Sequence, residues 1–241
     1  MIPRTIHYIW LGKGKMNTAA MMCVNSWHRI LNNYEIKLWD EESLELNRLA
    51  QNNRFLNECL KRKLWAFASD YLRLYVLYNE GGIYLDTDVE VVKSFDTFLD
   101  NEMFIGFEEG EYIGTGVIGA EKGNNTIKSL LEFYENDIWN VEFFTNPVIF
   151  RYLYDNNKEI FDGCKIYTKD YFSPYNYLES NTELVDSENT VCIHWYSGNW
   201  GLSRKGSVFL NTKHIKNPVV KAFMMIRKSL GYYKYIWFDK K

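Results

Sequence analysis

The stretch from Leu64 to Val92 limits what this chain can fold into more than any other. Leu64, Phe67, Ala68, Tyr71, Leu72, Tyr75 and Val76 recur at helical spacing and form one apolar stripe, and Gly81-Gly82 supplies a C-terminal stop. The spacing then predicts a strand from Ile83 to Val92, with Ile83, Leu85, Thr87, Val89 and Val91 on one side. Nearer the amino terminus, Thr5 to Leu11 is a nearly continuous apolar run closed by Gly12-Lys13-Gly14. Thr18 to Leu31 has helical spacing, and Tyr34 to Trp39 alternates as a second strand. Strand, helix, strand at these lengths is a βαβ unit, so an α/β fold with a mostly parallel sheet and helices on its faces is expected.

Further along, Met103–Phe107 and 116–120 read as short strands, 127–134 as a helix, and 191–196 as a late strand carrying His194 into a polar loop. The 40–60 segment is polar with helical hydrophobes. Nothing reads as a linker, repeat or low-complexity tract, and the 241 residues, 46% of them hydrophobic, are enough for one substantial core. A single domain over 1–241 is expected.

Composition narrows the partners. With 28 basic and 31 acidic residues the formal net charge is -3, which gives no electrostatic footprint for nucleic acid. Cys23, Cys59, Cys164 and Cys192 form no CxxC pair and read as buried thiols of a reducing compartment, two disulfides being the alternative. No apolar run approaches a membrane span, so a soluble cytoplasmic protein is expected. The carboxyl-terminal stretch from Ala222 to Lys241 is basic and aromatic. It reads first as a terminal helix packed back on the core, and second as a peripheral contact with the inner face of an anionic membrane.

Chemistry concentrates where the strand follows the glycine pair. Asp86 and Asp88 share one face of an extended strand, about 7 Å apart at the backbone, and like charges at that spacing call for a cation or a shared proton. Hard oxygen ligands of this kind suit Mg²⁺ or Mn²⁺ completed by phosphate oxygens, whereas the bland reading is a solvent-facing edge. Asp70 and Arg73 lie at i,i+3 and share a helix face, either as an ion pair or as acceptor and bidentate donor to a sugar or phosphate. Trp10, at the mouth of a parallel sheet, is a core residue or a platform for a nucleobase. His194 is a packed strand histidine or a ligand, and it runs into Trp195-Tyr196-Ser197-Gly198-Asn199-Trp200, an unusual loop for plain packing. The glycines fit neither a dinucleotide fingerprint nor a Walker loop.

Four ordered segments, Ile2-Pro3-Arg4-Thr5-Ile6-His7-Tyr8-Ile9-Trp10, Ala66-Phe67-Ala68-Ser69-Asp70-Tyr71-Leu72-Arg73, Gly81-Gly82-Ile83-Tyr84-Leu85-Asp86-Thr87-Asp88-Val89 and the loop from His194 to Trp200, resemble glycosyltransferase family 32. That family holds capsular and lipopolysaccharide sugar transferases and Och1-type mannosyltransferases, and the chain more distantly resembles the glucosyltransferase domain of clostridial toxins. The resemblance covers about residues 1–200 and leaves 201–241 as a helical extension. It implies a GT-A fold, a UDP- or GDP-sugar donor, a saccharide or lipid-linked saccharide acceptor, Mn²⁺ or Mg²⁺, retention of anomeric configuration and a role in cell-surface polysaccharide synthesis. By that likeness Trp10 stacks on the donor base, and Ser69, Asp70, Arg73 and Tyr84 hold the donor. Asp86 reaches the ribose and the metal through water, Asp88 and His194 ligate the metal, and Asn199 and Trp200 face the diphosphate. Asn199 stands where the family usually has Ser, and Thr145-Asn146-Pro147 stands where it has a Thr-Gly-Pro element on the acceptor side. The competing functions are a metal-dependent phosphohydrolase using the same carboxylates and a non-catalytic sugar-nucleotide or glycan-binding module.

Overall fold

The computed structural model describes residues 1–175, 187–197 and 202–238. The elements are β1 (Thr5–Ile9), α1 (Thr18–Ile30), β2 (Glu35–Trp39), α2 (Leu46–Asn52), α3 (Arg54–Lys61), α4 (Trp65–Glu80), β3 (Gly82–Leu85) and β4 (Val89–Val91). They continue with β5 (Met103–Phe107), β6 (Ile113–Ala120), α5 (Asn125–Glu135), α6 (Asn146–Asn156), β7 (Cys164–Tyr167), β8 (Cys192–His194), α7 (Arg204–Thr212) and α8 (Pro218–Phe238). Six strands form one sheet in the order β2-β1-β3-β6-β5-β7. β1 runs parallel to β2 and β3, β6 is antiparallel to both β3 and β5, and β7 is parallel to β5. Five strands therefore share one direction and β6 alone is reversed, which gives the expected mixed, mostly parallel sheet.

Side chains alternating along the strands feed two cores, one on each face. Ile83 and Leu85 pack with Trp27 of α1 and the Phe95, Phe98 and Phe104 cluster. Tyr84 and Ile118 point the other way, into the layer formed by α4, α5 and α6. α4 is buried nearly all round, so Asp70 and Arg73 go inside with Phe67, Leu72 and Leu77.

The glycine pair has a steric reason. Gly81 ends α4 at φ +70, and Gly82 follows at φ +109, where a Cβ would lie 2.7 Å from both His7 Nε2 and the Thr5 carbonyl. His7 is fully buried between them: its Nδ1 accepts the Trp39 indole N–H at 3.0 Å, so Nε2 carries the proton and donates to the Gly81 carbonyl at 2.7 Å. Burial holds this imidazole below its ordinary pKa and in its neutral form. β1, β2 and the start of β3 are thereby fixed in register, and the end of β3 is aimed at the site.

One expectation changes. The strand predicted from Ile83 to Val92 is broken: β3 stops at Leu85, a turn over 86–88 closes with the Val89 N–H donating to the Asp86 carbonyl at 3.0 Å, and β4 pairs with β8 in a separate two-stranded sheet. The helical hydrophobes of the 40–60 segment resolve into two helices, α2 and α3, while α6 and β7 carry too weak a periodicity to be seen beforehand. All four cysteines are free thiols. No helix among the described residues is long and apolar enough to cross a membrane.

Candidate active site

A cleft of about 470 Å³ opens at the ends of β1 and β3. Its walls include Trp10, Trp65, Ser69, Arg73, Tyr84, Asp86, Asp88, Glu108, Gly116, Pro147, His194 and Tyr196. Asp86 and Asp88 converge here because of the turn, not because of strand alternation. Once the chain turns back at Asp86, Val89 pairs with His194, and Asp88 faces the imidazole across the two-stranded sheet. α1 holds that sheet in place: the Trp27 indole donates to the Val89 carbonyl at 2.8 Å, and the Ser26 hydroxyl accepts the Val91 N–H at 2.9 Å.

Asp88 accepts the Ser197 N–H and hydroxyl, both at 2.9 Å on Oδ2, while Oδ1 lies 3.4 Å from His194 Nε2. Burial works to raise this carboxyl, but His194 and the Ser197 donors outweigh it and hold it at about 2. The same contact acts on His194 in reverse. Burial would lower the imidazole, yet the facing carboxylates carry it above its ordinary value, led by Asp88. The ring also lies against Tyr196, with centroids 4.0 Å apart.

Behind this pair is a buried charge relay of fixed geometry. Arg73 Nη1 donates to the Thr115 carbonyl at 2.7 Å and to Asp86 Oδ2 at 3.2 Å, and Nη2 meets Asp70 Oδ1 at 2.9 Å. The guanidinium lies 4.6 Å from the centre of the Tyr84 ring, whose hydroxyl donates to Asp86 Oδ1 at 2.8 Å. Burial alone would weaken the arginine's hold on its proton, but the carboxylates around it raise its pKa, so it is a permanent cation at the cleft floor. Asp70 is the exception. It is 1% exposed, its Oδ2 has no hydrogen-bond partner, and burial pushes its carboxyl to about 7 against the opposing pull of Arg73.

Asp70 therefore stands behind Arg73 and is absent from the cleft wall, where Trp10, Ser69, Arg73, Tyr84, Asp86, Asp88 and His194 all appear. Asn146 is fully buried and donates to Asp70 Oδ1 at 3.2 Å while accepting from the Tyr134 hydroxyl at 2.5 Å. The amide in place of a glycine thus serves the buried aspartate, and the next residue, Pro147, lines the cleft. Asn199 and Trp200 lie outside the described residues. Sequence reasoning missed Glu108, Gly116 and Tyr196. Glu108 follows the last residue of β5, and the Tyr196 hydroxyl donates to its Oε2 at 3.4 Å. An acid at the carboxyl end of a strand was the available signal for it. Tyr196 has a left-handed backbone, φ 48, which composition does not announce.

Asp86, Asp88 and His194 each offer one ligand atom, and these atoms lie within 4.8 Å of one another. Gly116 of β6 backs the group: a Cβ there would come within 3.3 Å of Asp86 Oδ2 and His194 Cε1. Two carboxylates and an imidazole in a cradle kept open by a glycine fit a divalent ion of the Mn²⁺ or Mg²⁺ kind.

The chain is similar in sequence and in fold to known glycosyltransferases. Residues 18–105 match the family described as "Glycosyltransferase sugar-binding region containing DXD motif". An uncharacterized glycosyltransferase, L373, of Acanthamoeba polyphaga mimivirus is 26% identical over 199 residues, 78% of this chain and 72% of that protein. Inositol phosphoceramide mannosyltransferase 3 of Schizosaccharomyces pombe is 28% identical over 126 residues, 51% of this chain and 34% of that protein. Among solved structures, PaToxG glycosyltransferase superposes with a TM-score of 0.50 at 21% identity, over 67% of this chain and 73% of its own, a likeness of fold. The mixed sheet with its helical carboxyl-terminal end is the GT-A arrangement.

Proposed function

We propose that this chain, a glycosyltransferase whose residues 18–105 carry the sugar-binding region of the DXD-containing type, moves a hexose from a UDP- or GDP-sugar to a saccharide or lipid-linked saccharide with retention of configuration. Cell-surface polysaccharide such as capsule or lipopolysaccharide is the product class this reading favours. A single domain spans 1–241, with 201–241 as its carboxyl-terminal extension, and the free thiols suit a cytoplasmic setting. The observation that carries the reading is the convergence of Asp86, Asp88 and His194 at a cleft whose walls include Trp10 and Arg73.

In this reading Asp86, Asp88 and His194 hold Mn²⁺ or Mg²⁺, which as a Lewis acid would neutralise charge developing on the nucleoside diphosphate. The chain's own residues do the rest. Trp10, its indole N–H tied to the Gly14 carbonyl at 2.6 Å, offers a fixed face to the base. Arg73 supplies a cation that cannot lose its proton, and its rigid ties to Asp86 and Asp70 preorganise it before substrate arrives. Ser69 and Tyr84 border the same wall, and Pro147 marks the acceptor side. Asp70 acts by positioning Arg73. Asn199 and Trp200 are proposed to face the diphosphate.

Titration calorimetry of UDP and GDP, with and without Mn²⁺, tests the reading. Binding is expected to tighten strongly with Mn²⁺ in the wild type and not in Asp88→Ala. Equal metal enhancement in both proteins refutes the assignment. Release of inorganic phosphate from nucleotide without any acceptor would instead identify a phosphohydrolase.

A further inference from the structure

The carboxyl-terminal helix carries a feature that the cleft does not use. α8 presents Val219, Phe223, Ile226 and Leu230 at i, i+4, i+7 and i+11, one stripe along the helix, and they are 77%, 65%, 63% and 65% exposed. Its opposite side is anchored. α7 packs against it, the Tyr232 hydroxyl donates to the Leu202 carbonyl at 2.8 Å, and Lys228 reaches Asn211 Oδ1 at 3.4 Å. The apolar stripe is therefore the outward face of a helix already seated, and among the described residues nothing covers it.

Charge says what covers it. From Asn189 to Phe238 the sequence has eight lysines and arginines and no acid, although the whole chain is net -3. Arg227 flanks the stripe on one side, and a groove of about 590 Å³ on the other is lined by Arg54, Arg62, Lys205 and Lys221 with Ile226 and Leu230; its one acid, Glu58, is paired with Arg62 at 2.6 Å, so the lining stays net cationic. A second copy of this helix would set cation against cation, since α8 carries no acid and Glu58 of the groove is already paired with Lys61 and Arg62. An anionic bilayer supplies both complements at once, headgroup phosphates for the cations and the acyl boundary for the stripe. No described helix is long and apolar enough to cross a membrane, so such a contact would be made in the plane of the interface.

We infer that α8 and its flanking cations form a peripheral docking surface for an anionic phospholipid membrane. This surface is independent of the transferase reading, because none of its residues borders the cleft.

Co-sedimentation of the full chain with vesicles of phosphatidylcholine alone, or mixed with phosphatidylglycerol, tests it. The wild type is expected to sediment with the mixed vesicles only, and less so as salt rises. Arg227→Gln with Lys221→Gln should lower partitioning about 25-fold, about fivefold for each cation. Phe223→Ser and Ile226→Ser should each lower it on the order of tenfold, with an unchanged circular dichroism spectrum. Failure of the wild type to bind mixed vesicles overturns the inference, as does equal binding to neutral ones. A concentration-dependent dimer in light scattering that Phe223→Ser dissolves, without vesicle binding, gives the face to a second copy and overturns it too.

Discussion

Replacing Asp70 with Asn isolates a single buried charge. The wild-type carboxylate has one oxygen bound by Arg73 and Asn146 and the other bound by nothing, in a site with 1% exposure. Burial lifts its pKa from 3.8 to about 7 despite Arg73. The sign follows from proton counting. Between those two values the folded state holds a proton that the unfolded chain has released, so this group's contribution to stability falls as pH rises. Its penalty is absent below 3.8, complete above about 7, and worth ~4 kcal/mol at about 1.4 kcal/mol per pH unit. Asn cannot titrate. Carboxylates common to both proteins cancel, so the stability of Asp70→Asn minus that of wild type should grow by ~4 kcal/mol from pH 4 to pH 8, whatever its offset. Urea unfolding of both proteins in EDTA at several pH values measures it. A flat difference, or one that shrinks with pH, would show that Asp70 is ionised at ordinary cost and that its unpartnered oxygen is solvated.

Three further outcomes follow from the same structure. Asp88 has the opposite sign: its folded pKa of about 2 lies below 3.8, so it adds ~2 kcal/mol above 3.8 that is lost toward pH 2. In metal-free protein Asp88→Asn should therefore cost about that much at pH 7 and almost nothing near pH 2, and a pH-independent cost would contradict the ion pair. His194 must be neutral to ligate, and its pKa is raised, so apparent Mn²⁺ affinity should fall about tenfold per pH unit below that raised value. Calorimetry across pH reads this, and a profile unmoved by pH removes His194 from the ligand set. Gly119 of β6 lies under Phe104, where a Cβ would enter the ring, and Phe104 is hemmed in by Phe95, Phe98 and Phe172. Gly119→Ala should cost about 1–3 kcal/mol by overpacking, read as a lower melting temperature, and an unchanged one would mean the aromatic cluster yields freely.

The local elements were legible because their signals are local. The apolar stripe of α4, the glycine pair that ends it, the β1-α1-β2 unit and the strand Met103–Phe107 are set by periodicities of 3.6 and 2 within short windows. The candidate ligands Asp86, Asp88 and His194 were legible by residue type, and the structure gathers them at one cleft with Trp10 and Arg73. Their geometry was not. Two aspartates one residue apart look like neighbours on a strand face, and only the pairing of β4 with β8 forces the intervening turn. Asp70 also looked like a wall residue, being one turn from Arg73, but α4 is buried on that side and the carboxylate went under the guanidinium.

Propensity and spacing, which act between near neighbours, were enough for the strong local elements β1, α1, β2 and α4 and for naming the candidate ligands, but not for the break after Leu85 or for α6 and β7. Tertiary structure alone decided the protonation landscape and the site's shape. A pKa depends on burial and on charges that the fold brings together: Asp70 is raised chiefly by its burial under the packed α4 layer, and Asp88 is held down by His194, which lies more than a hundred residues along the chain. The role of Gly116 is of the same kind: it is an unremarked strand glycine until β6 is laid beside β3, and then its missing side chain is the space in which Asp86 and His194 meet.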